Sequence, residues 1–508
     1  MNEQFLSYNA LDSACTLQCH NTFWSDLQPQ GFMPAYNMTV DLLPPLMYMM
    51  TRGIRVNFDA LNITKVEIQQ SAATKQAELN QLCGRELNVN SPKDCQKYFY
   101  LELGIPPYYN EESVTVDDLA LQRIARGTAK RPGLRQAKLV QEIRGLQKLY
   151  GTYLNIEFDT DGRMRCSYNP RGTKFGRLSS SKTIFGTGTN QQNLPQEFKK
   201  FLVADPGYIF WEVDKRQAEW VVVAYLSGDA NMIQVVQEGR DTHLHTASLM
   251  FNCPVELLKR EDELIGHSTD ADYIRDLRLA DPELERYSNT LPRTMSGRQC
   301  GKKSNHGLNY DEGYVKFALI NEMDQSEAKR IHTMYHLIYP GIGVWYDSVK
   351  RQLQKDRTLT NCFGRKVRFM DSWGPDLWKA AYSMIPQSSV VDSLNQGMVK
   401  IYNDDYLCSP QGCNIDLLAQ VHDSILLQVP LDVMADISKF TYIRDQVYQY
   451  ISPNLSYSGR TFQLATDSKI GVNWGAYNKE TNPLGMRELP SMADLPALLE
   501  TLSEPGTP

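Results

Sequence analysis

The stretch 205–226, DPGYIFWEVDKRQAEWVVVAYL, is decisive for the fold because it predicts a strand that turns directly into a helix. Residues 208–213 are rich in aromatic and β-branched side chains, which is typical of a buried strand. Asp214 ends that strand, and Gln217 opens a run with the apolar density of a packed helix. A carboxylate at the end of a sheet strand is well placed for metal-assisted chemistry. The alternative is an Asp that caps the helix.

The segment 298–310, RQCGKKSNHGLNY, predicts a helix with one functional stripe. Arg298, Lys302, His306 and Tyr310 recur every four residues, so on a helix they form a slanting row roughly 18 Å long. Two cations followed by two rings suit an extended ligand with phosphates at one end and a base at the other. The alternative is the solvated basic face of a surface helix.

The segment 416–430, DLLAQVHDSILLQVP, predicts a β-hairpin with a carboxylate at its tip. Two apolar runs, 417–421 and 425–429, flank the three polar residues His422-Asp423-Ser424. Asp is a good turn former, so a purely structural role is the alternative. The turn lacks the Gly or Asn that a structural hairpin favours, and this favours a functional tip.

Together the three segments resemble the A-family DNA polymerases, the group of bacterial polymerase I and its phage relatives. That family carries a DxSQxE motif on a palm strand, an RxxxKxxxFGxxY helix in the fingers and a VHDE hairpin in the palm. The chain has DKRQAE at 214–219, the spaced Arg, Lys, His-Gly and Tyr at 298–310, and VHDS at 421–424. Six further segments resemble family motifs: YNALDSACTLQ (8–18), NVNSPKDCQKYF (88–99), TKFGRLSSS (173–181), NQQNLP (190–195), DTHLHTASLMF (241–251) and KAAYSMIPQSSVVD (379–392).

The resemblance implies a mixed α+β fold, the right-hand polymerase fold, with an antiparallel-sheet palm, helical fingers and a helical thumb. The implied domains, in chain order, are a remnant of the 3′–5′ exonuclease domain (1–30), the thumb (31–152), the first part of the palm (153–240), the fingers (241–370, with an acidic insertion at about 255–289), the second part of the palm (371–474) and a C-terminal tail (475–508).

The resemblance also implies template-directed addition of deoxynucleotides to a primer 3′ end by two-metal-ion nucleotidyl transfer. Asp214 and Asp423 would hold two Mg²⁺ ions, with Mn²⁺ as a substitute, and the backbone carbonyl of Lys215 would be a further ligand. Arg298 and Lys302 would hold the triphosphate during catalysis.

Further site residues follow from the same resemblance. The implied nucleotide-binding set is His243, Arg298, Lys302, His306, Tyr310, Glu219 and Gln217. Within it, Glu219 and Tyr310 would exclude a ribose 2′-hydroxyl. The implied DNA-binding set, which would read the minor groove near the primer end, is Arg177, Asn190, Gln192, Asn193, Gln387 and His422. His243 and His245 also form an HxH pair, but no further metal ligand stands near them in the sequence.

Three positions depart from the family pattern. Ser424 replaces the second acid of VHDE, which lowers the negative charge expected around the metals. Arg216 replaces the Ser of DxSQxE, and the sequence offers no account of it. His306 stands where Phe or Tyr is usual. Its ring either hydrogen-bonds in a way that favours dideoxynucleotides, increasingly towards about pH 6, or only packs beside the base.

Bulk composition fits a globular protein with several subdomains, since 42% of the 508 residues are hydrophobic and 22% are charged. No apolar run of about eighteen residues predicts a membrane helix, and the N-terminus lacks the features of a secretory signal. Ten Cys without a CxxC pair indicate reduced thiols, no structural zinc and a cytoplasmic location, that of a bacterial host for a viral protein.

Charge is unevenly distributed along a chain whose net charge is −6. Residues 121–150 carry eight Lys or Arg against one acid, which predicts phosphate-backbone contact or, alternatively, a solvated helical face. Residues 255–289 carry ten acids against five bases and are predicted to face solvent or a partner. The tail from about 475 is expected to be loosely packed, and its amphipathic piece at 492–502 is a candidate for docking an accessory protein.

Of the exonuclease site only Tyr8 and Asp12 have matches, so no intrinsic proofreading is expected unless a separate polypeptide supplies the rest. The expected partners are primer–template DNA and dNTPs, with a separate exonuclease, processivity or helicase protein as further candidates, in phage-type DNA replication. Two alternatives are a single-subunit RNA polymerase-like enzyme, disfavoured by Glu219, and a non-catalytic DNA-binding processivity protein, disfavoured by the retained Asp214 and Asp423.

Overall fold

A computed structural model describes residues 3–110, 112–128, 131–266, 268–321 and 323–502. Several residues of the predicted regions lie outside the described residues. They are Lys130 of the basic cluster, residues 1–2 of the implied exonuclease remnant, residues 267 and 322 of the implied fingers, and residues 503–508 of the implied tail. The chain forms two compact units. Unit 1 comprises residues 1–48, 168–179 and 212–468, and unit 2 comprises residues 49–167, 180–211 and 469–508.

Unit 1 is mainly helical. The helices that carry or support the candidate site are labelled here as α1 (Ala218–Ser227), α2 (Thr242–Phe251), α3 (Val255–Ile265), α4 (Ala271–Ala280), α5 (Gly297–Gly307), α6 (Pro375–Tyr402) and α7 (Ile437–Ile451). Its other helices are Glu3–Leu27, Met33–Asp41, Ala230–Gln237, Pro282–Glu285, Tyr314–Ile320, Gln325–Ile338, Gly341–Asp356, Asp405–Cys408 and Leu431–Ala435, with a 3-10 turn at Leu308–Tyr310.

The main sheet of unit 1 contains the predicted strand and the predicted hairpin. Its strands are β1 (Tyr208–Lys215), β2 (Asp416–Val421), β3 (Ser424–Pro430) and β4 (Thr466–Gly471), and they lie in the order β2-β3-β1-β4. β1 and β4 each contain a boundary between the two units, at residues 211/212 and 468/469. Two antiparallel pairs complete the strands of unit 1: Thr358–Thr360 with Lys366–Arg368, and Leu455–Tyr457 with Arg460–Phe462.

The predicted bounds of the hairpin and of the first strand need small corrections. Ser424 belongs to β3 because it pairs with Val421, so the turn contains only His422 and Asp423. β1 continues through Lys215, which makes Asp214 its penultimate residue. The helix that follows begins at Ala218, and Gln217 occupies the N-cap position. Asp214 is therefore not the helix cap.

Unit 2 contains long helices and short strand pairs. Its helices are Phe58–Cys83, Pro92–Gln96, Lys97–Glu102 (π), Asp118–Arg126, Arg135–Lys148, Leu149–Leu154 (π), Gln191–Asn193 (3-10), Gln196–Lys199 and Leu495–Leu502. Its strands are Ile54–Val56, Tyr108–Asn110, Ser113–Thr115, Gly127–Thr128, Arg131–Pro132, Arg163–Met164, Leu202–Val203 and Arg487–Glu488. Besides β1 and β4, three elements contain a unit boundary: Leu43–Arg52, Ser167–Asn169 and Ser179–Ser181.

Two expectations about charge and packing in unit 2 change with the structure. Arg144 of the basic cluster donates to the carbonyls of Val89 and Val116, at 2.7 and 2.8 Å, so it braces backbone rather than facing solvent. The tail is not loosely packed throughout, because Leu495 and Leu499 of the last helix are buried. Within the described parts of the chain, no helix is long and apolar enough to cross a membrane.

The acidic segment in unit 1 is helical, as expected, but it is not simply solvent-facing. It forms α3, α4 and the short helix Pro282–Glu285. Asp272 and Asp276 of α4 are exposed, whereas Glu261 of α3 and Arg278 of α4 are buried. The segment is therefore part of the packed structure of unit 1.

The close packing of α2 against α5 depends on a glycine. A Cβ added at Gly301 would lie 2.2 Å from the carbonyl oxygen of His243 and 3.2 Å from the Cβ of Ala247. Both neighbours belong to α2, and Ala247 is fully buried. Only a residue without a side chain allows α5 to approach α2 this closely.

Replacing Gly301 with Ala is expected to lower the free energy of unfolding by about 1–3 kcal/mol, because the new methyl group overpacks the α2–α5 contact. The measurement is urea unfolding monitored by circular dichroism. The matched control is Gly343→Ala in helix Gly341–Asp356, where a Cβ would meet no atom within 4 Å. Equal stability of the two variants would contradict the packing argument.

Candidate active site

The two predicted aspartates lie on β1 and in the turn of the neighbouring hairpin. The Lys215 N–H of β1 donates to the backbone carbonyl of Asp423 at 3.2 Å, and the same N–H lies 3.0 Å from Asp214 Oδ1. This pairing brings the end of β1 against the hairpin tip. The residues that carry the two predicted carboxylates are therefore close neighbours in the structure, and a shared site for them stays a prediction.

The backbone beside each aspartate has an uncommon conformation. Gln217, three residues after Asp214, has φ 49°, and His422, just before Asp423, has φ 54°. Non-glycine residues rarely adopt this left-handed region, and such residues cluster at functional sites. The Gln217 side chain also accepts the N–H of Thr242 at 3.2 Å, which ties the turn after β1 to the start of α2.

The carboxylate pair has the chemistry of a site for a hard divalent cation. Burial raises the pKa of Asp423, and a backbone hydrogen bond together with the charges of neighbouring His and Arg side chains opposes that rise only in part. Among the residues that the structure describes, no group of three or more His, Cys, Asp or Glu could hold a metal ion. A pair of carboxylates suits Mg²⁺, which keeps several water or phosphate ligands.

The Lys215 side chain has a structural role that sequence reasoning missed. Its Nζ donates to the carbonyl of Ile451, the last residue of α7, and to Ser452 Oγ at 3.1 Å. Burial lowers the pKa of Lys215 to about 7. These two hydrogen bonds fasten β1 to the end of α7.

Two departures from the family pattern gain partners in the structure. Arg216 forms a forked ion pair with Asp467 of β4, with Nε 2.9 Å from each carboxylate oxygen. Ser424 Oγ lies 3.3 Å from Glu212 Oε1 of β1. A carboxylate therefore lies beside position 424 although the residue itself is Ser.

Glu219 is held by two of the predicted site residues. Tyr310 Oη donates to Glu219 Oε2 at 2.7 Å, and the Arg177 guanidinium forms an ion pair with Glu219 Oε1. Burial and the charge of Glu219 raise the pKa of Tyr310 well above 10, so its hydroxyl remains a donor. Arg177, predicted from the sequence to contact DNA, is thus a direct partner of Glu219.

His243 is a neutral imidazole in a hydrogen-bond network. Its Nδ1 lies 3.1 Å from Asn305 Nδ2, and the same amide nitrogen donates to the Thr242 carbonyl at 3.2 Å. Asn305 Oδ1 accepts from Thr246 Oγ1 at 3.0 Å, which fixes the amide orientation. His243 Nδ1 is therefore the acceptor and Nε2 carries the proton. Burial lowers the pKa of His243 to about 4.

The predicted stripe on α5 begins at an ion-paired arginine. Arg298 donates to Asp241 Oδ2 at 2.9 Å and lies 3.6 Å from Asp262 Oδ2. Asp241 is the N-cap of α2, and Asp262 belongs to the acidic segment. The sequence did not predict either residue as a partner of Arg298. Any phosphate that binds Arg298 competes with these two carboxylates.

The rest of the stripe lines a cavity of about 230 Å³ in unit 1. Lys302 and His306 are exposed, and the His306 ring centroid lies 5.9 Å from that of His243. Partial desolvation of the His306 ring lowers its pKa below 6.5, which opposes the protonation expected towards about pH 6. The predicted residues lining the cavity are Gln217, Glu219, His243, Lys302, His306, Tyr310 and Asp423.

The predicted DNA-binding residues are more widely distributed. Gln387 of α6 is partly buried, and His422 is exposed at the hairpin tip. The other three belong to unit 2. There Asn190 Oδ1 accepts the N–H of Gln192 at 2.9 Å and the carbonyl of Asn193 accepts from Tyr153 Oη at 3.3 Å. These contacts give the short 3-10 turn a defined shape.

Comparison with known proteins identifies the family. The sequence profile described as DNA polymerase family A matches residues 58–263 and 288–476. The chain belongs to DNA polymerase family A. It is 27% identical over 411 residues to the thermostable DNA polymerase I of Thermus filiformis, covering 76% of this chain and 42% of that protein. It is 24% identical over 496 residues to DNA polymerase I of Pseudomonas aeruginosa, covering 93% of this chain and 48% of that protein.

The chain spans less than half the length of these curated relatives. A solved structure of the POL domain of Pol1 from M. smegmatis, in complex with DNA primer-template and dNTP, matches with a TM-score of 0.68. The match has 22% sequence identity and covers 86% of this chain and 70% of that one. This likeness confirms the right-hand polymerase fold expected for this family A polymerase. The segment 264–287 lies outside the family profile, within the insertion expected from the sequence.

The His243 ring is expected to stay neutral in solution down to about pH 5, because burial disfavours its charged form. The measurement is a ¹⁵N NMR titration of labelled histidine, with the His243 signals assigned by their loss in His243→Asn. The expected result is constant Nδ1 and Nε2 shifts from about pH 8 to about 5. A midpoint near the ordinary value of 6.5 would show that the ring is solvated and that the Asn305 network is wrong.

Proposed function

We propose that this family A polymerase adds deoxynucleotides to a primer 3′ end under the direction of a template. The observation that supports the proposal most strongly is the convergence of Asp423, Lys302, His306 and the Glu219–Tyr310 pair on one cavity, with Asp214 beside Asp423. The carboxylates, a cation for the phosphates and a boundary for the sugar are proposed to belong to this one site.

Asp214 and Asp423 are proposed to hold two Mg²⁺ ions, and Mn²⁺ is a proposed substitute. The all-oxygen donor set and the buried Asp423 carboxylate fit hard divalent cations. When bound, such ions make the primer 3′-hydroxyl more nucleophilic and stabilise the pyrophosphate leaving group. The Lys215 carbonyl is a proposed additional ligand. The buried side chain of Lys215 holds this end of β1 in place through its hydrogen bond to the Ile451 carbonyl.

The nucleotide is proposed to lie along α5. Arg298 and Lys302 bind the triphosphate, and Arg298 exchanges Asp241 and Asp262 for phosphate oxygens as it does so. His243 donates one hydrogen bond from Nε2–H as a neutral ring, because its Nδ1 already accepts from Asn305. His306 lies beyond Lys302 towards Tyr310, where the sugar and base are expected.

The nucleic acid is proposed to contact Arg177, Gln387 and His422 of unit 1 and the three polar residues Asn190, Gln192 and Asn193 of unit 2. Arg177 is exposed enough to reach a ligand, since 40% of its side chain is accessible while it is paired with Glu219. A minor-groove contact by Arg177 would compete with that ion pair. Binding of the primer end and the position of Glu219 are therefore proposed to be linked.

The finer setting is also a proposal. The relatives named above are bacterial, so phage-type replication and a cytoplasmic site of action in a host remain inferences from the sequence. Absence of proofreading is proposed because Tyr8 and Asp12 lie on helix Glu3–Leu27, all of whose residues are described and none of which is buried. A separate exonuclease, processivity or helicase protein is a proposed partner. Membership of family A does not favour an RNA polymerase or a non-catalytic processivity protein.

Either Asp214→Ala or Asp423→Ala is expected to abolish primer extension by the purified chain with Mg²⁺ and dNTPs, because each removes one half of the carboxylate pair. DNA binding, measured by fluorescence anisotropy, is expected to change little. The matched control is Asp467→Ala, which removes the exposed partner of Arg216 and is expected to cost less than about 1 kcal/mol of stability.

In the same assay, wild-type chain given NTPs in place of dNTPs is expected to extend poorly, and chain given no nucleotide is expected to leave the primer at full length. Near wild-type extension by either aspartate variant would overturn the catalytic assignment. Preference for NTPs would favour the RNA polymerase alternative, and shortening of the primer would contradict the absence of proofreading.

Glu219→Ala is expected to raise the efficiency of ribonucleotide incorporation relative to deoxynucleotides by at least about ten-fold, because the side chain that bounds the sugar is lost. The measurement is the ratio of kcat/KM for one nucleotide and its ribose analogue. Tyr310→Phe keeps the ring but loses the hydrogen bond to Glu219, so a smaller increase is expected. Unchanged discrimination in Glu219→Ala would place the sugar boundary elsewhere.

A further inference from the structure

The segment 264–287 lies outside the family profile, and among its described residues one charged side chain is buried in the protein interior. The structure describes this segment apart from His267, as the end of α3, helix α4 and the short helix Pro282–Glu285. On α4 most charged residues are exposed, but Arg278 is only 2% exposed. A buried arginine is costly unless its donors are satisfied, so its partners indicate what it does.

Arg278 contacts three points around the start of α5. Its Nε donates to Glu261 Oε1 at 2.9 Å, and its terminal amino group makes a second contact with the same oxygen. Nη1 donates to the carbonyl of Pro292 at 2.7 Å, and Nη2, the nitrogen that also contacts Glu261, donates to the carbonyl of Met295 at 3.0 Å. Both carbonyls belong to the stretch that leads directly into α5.

Glu261 completes the connection from the other side. Its second oxygen, Oε2, accepts the N–H of Gly297, the first residue of α5, at 2.8 Å. A Cβ at Gly297 would lie 2.5 Å from Leu258 Cδ2 and 3.3 Å from Glu261 Oε2, so the close approach requires glycine. A carboxylate at a helix N-terminus also interacts favourably with the helix dipole.

The first side chain of the stripe follows one residue later. Arg298 is the second residue of α5, and its guanidinium lies 3.6 Å from Asp262, the neighbour of Glu261 on α3. Asp262 in turn accepts from Ser296 Oγ, the side chain that caps α5 through the Gln299 N–H at 3.1 Å. The end of α3 that carries Glu261 and Asp262 thus holds the start of α5 and its cap, and it lies against Arg298. Arg278 contacts this same end of α3 through Glu261.

We infer that Arg278 is a positioning residue for nucleotide binding, supplied by a segment additional to the family profile. The Glu261–Arg278 pair fixes the first turn of α5 and thereby the place where Arg298 meets the triphosphate. The inference rests on the proposed function, since it assumes that Arg298 binds phosphate. A small displacement of a binding group lowers the efficiency of a reaction strongly, so loss of the pair is expected to weaken nucleotide use selectively.

The competing explanation is that the pair only stabilises the fold. Removing one partner of a buried ion pair destabilises a protein, whereas replacing both with apolar residues is often neutral. The double variant Glu261→Met/Arg278→Met therefore separates the two roles. It leaves no unpaired charge, but it leaves the Gly297 N–H and the carbonyls of Pro292 and Met295 without these partners.

The experiment measures single-nucleotide incorporation by the full chain, giving KM for the dNTP and kcat, together with thermal melting and the Kd for primer–template DNA. The variants are Arg278→Lys and Glu261→Met/Arg278→Met. The control is Arg275→Gln on the same helix, whose side chain is 58% exposed and forms ion pairs with the exposed Asp272 and Asp276. Arg278→Lys keeps the charge but not the planar fork, so it tests the geometry even where the double variant does not fold.

For both test variants KM for the dNTP is expected to rise by about ten-fold or more, with kcat and the Kd for DNA within about two-fold of wild type. Arg275→Gln is expected to match wild type. An unchanged KM in Arg278→Lys, or in a double variant that melts like wild type, would overturn the inference and leave the pair with a structural role. Arg298→Ala distinguishes the two levels: an unchanged KM in that variant would instead show that the phosphate-binding role of α5 is wrong.

Discussion

The candidate site depends on the pairing of β1 with the tip of the β2–β3 hairpin. One backbone hydrogen bond, from Lys215 N–H to the carbonyl of Asp423, places the two carboxylate-bearing residues next to each other. The strands on both sides of the contact are buried, and the left-handed backbone at Gln217 and His422 turns the chain sharply on either side of it. Such strain is held in place by the surrounding packing, and the buried Lys215 side chain adds a fixed point at the end of α7.

Electrostatic balance is the second common property of the site. Arg298 lies between Asp241 and Asp262, Glu219 accepts from Arg177 and Tyr310, and Ser424 lies beside Glu212. Charged side chains that are partly buried need such partners, because an unpaired charge in a low-dielectric surrounding is costly. The same partners hold the binding groups in defined positions, so a charged ligand replaces existing contacts instead of ordering mobile side chains.

The sequence predicted the parts of the site that are marked by local patterns. The strand that carries Asp214 and the hairpin at Asp423 follow from runs of apolar and β-branched residues, and the row on α5 follows from a spacing of four residues. The motifs joined these elements into one family. The resemblance, and not local spacing, implied that Glu219 and Tyr310 act together, and the structure joins them by a hydrogen bond. Prediction failed where contacts join distant segments. The ion pair between Asp262 and Arg298 joins the acidic segment to α5, and the contact between Glu212 and Ser424 joins two strands that are far apart in the chain. The contacts of Arg278 depend on the tertiary packing of α3, α4 and α5. A charge-rich stretch looks solvated in sequence, because composition does not show which of its members face inward.

The central claim is that Asp214 and Asp423 together form one site for two divalent cations. The most direct test counts bound Mn²⁺ by electron paramagnetic resonance in the presence of a chain-terminated primer–template and the next correct dNTP. The account predicts about two ions per wild-type chain, with the magnetic coupling of ions about 3.5–4 Å apart, and loss of that coupled signal in Asp423→Asn. The same coupled pair of ions in Asp423→Asn as in wild type would contradict the account.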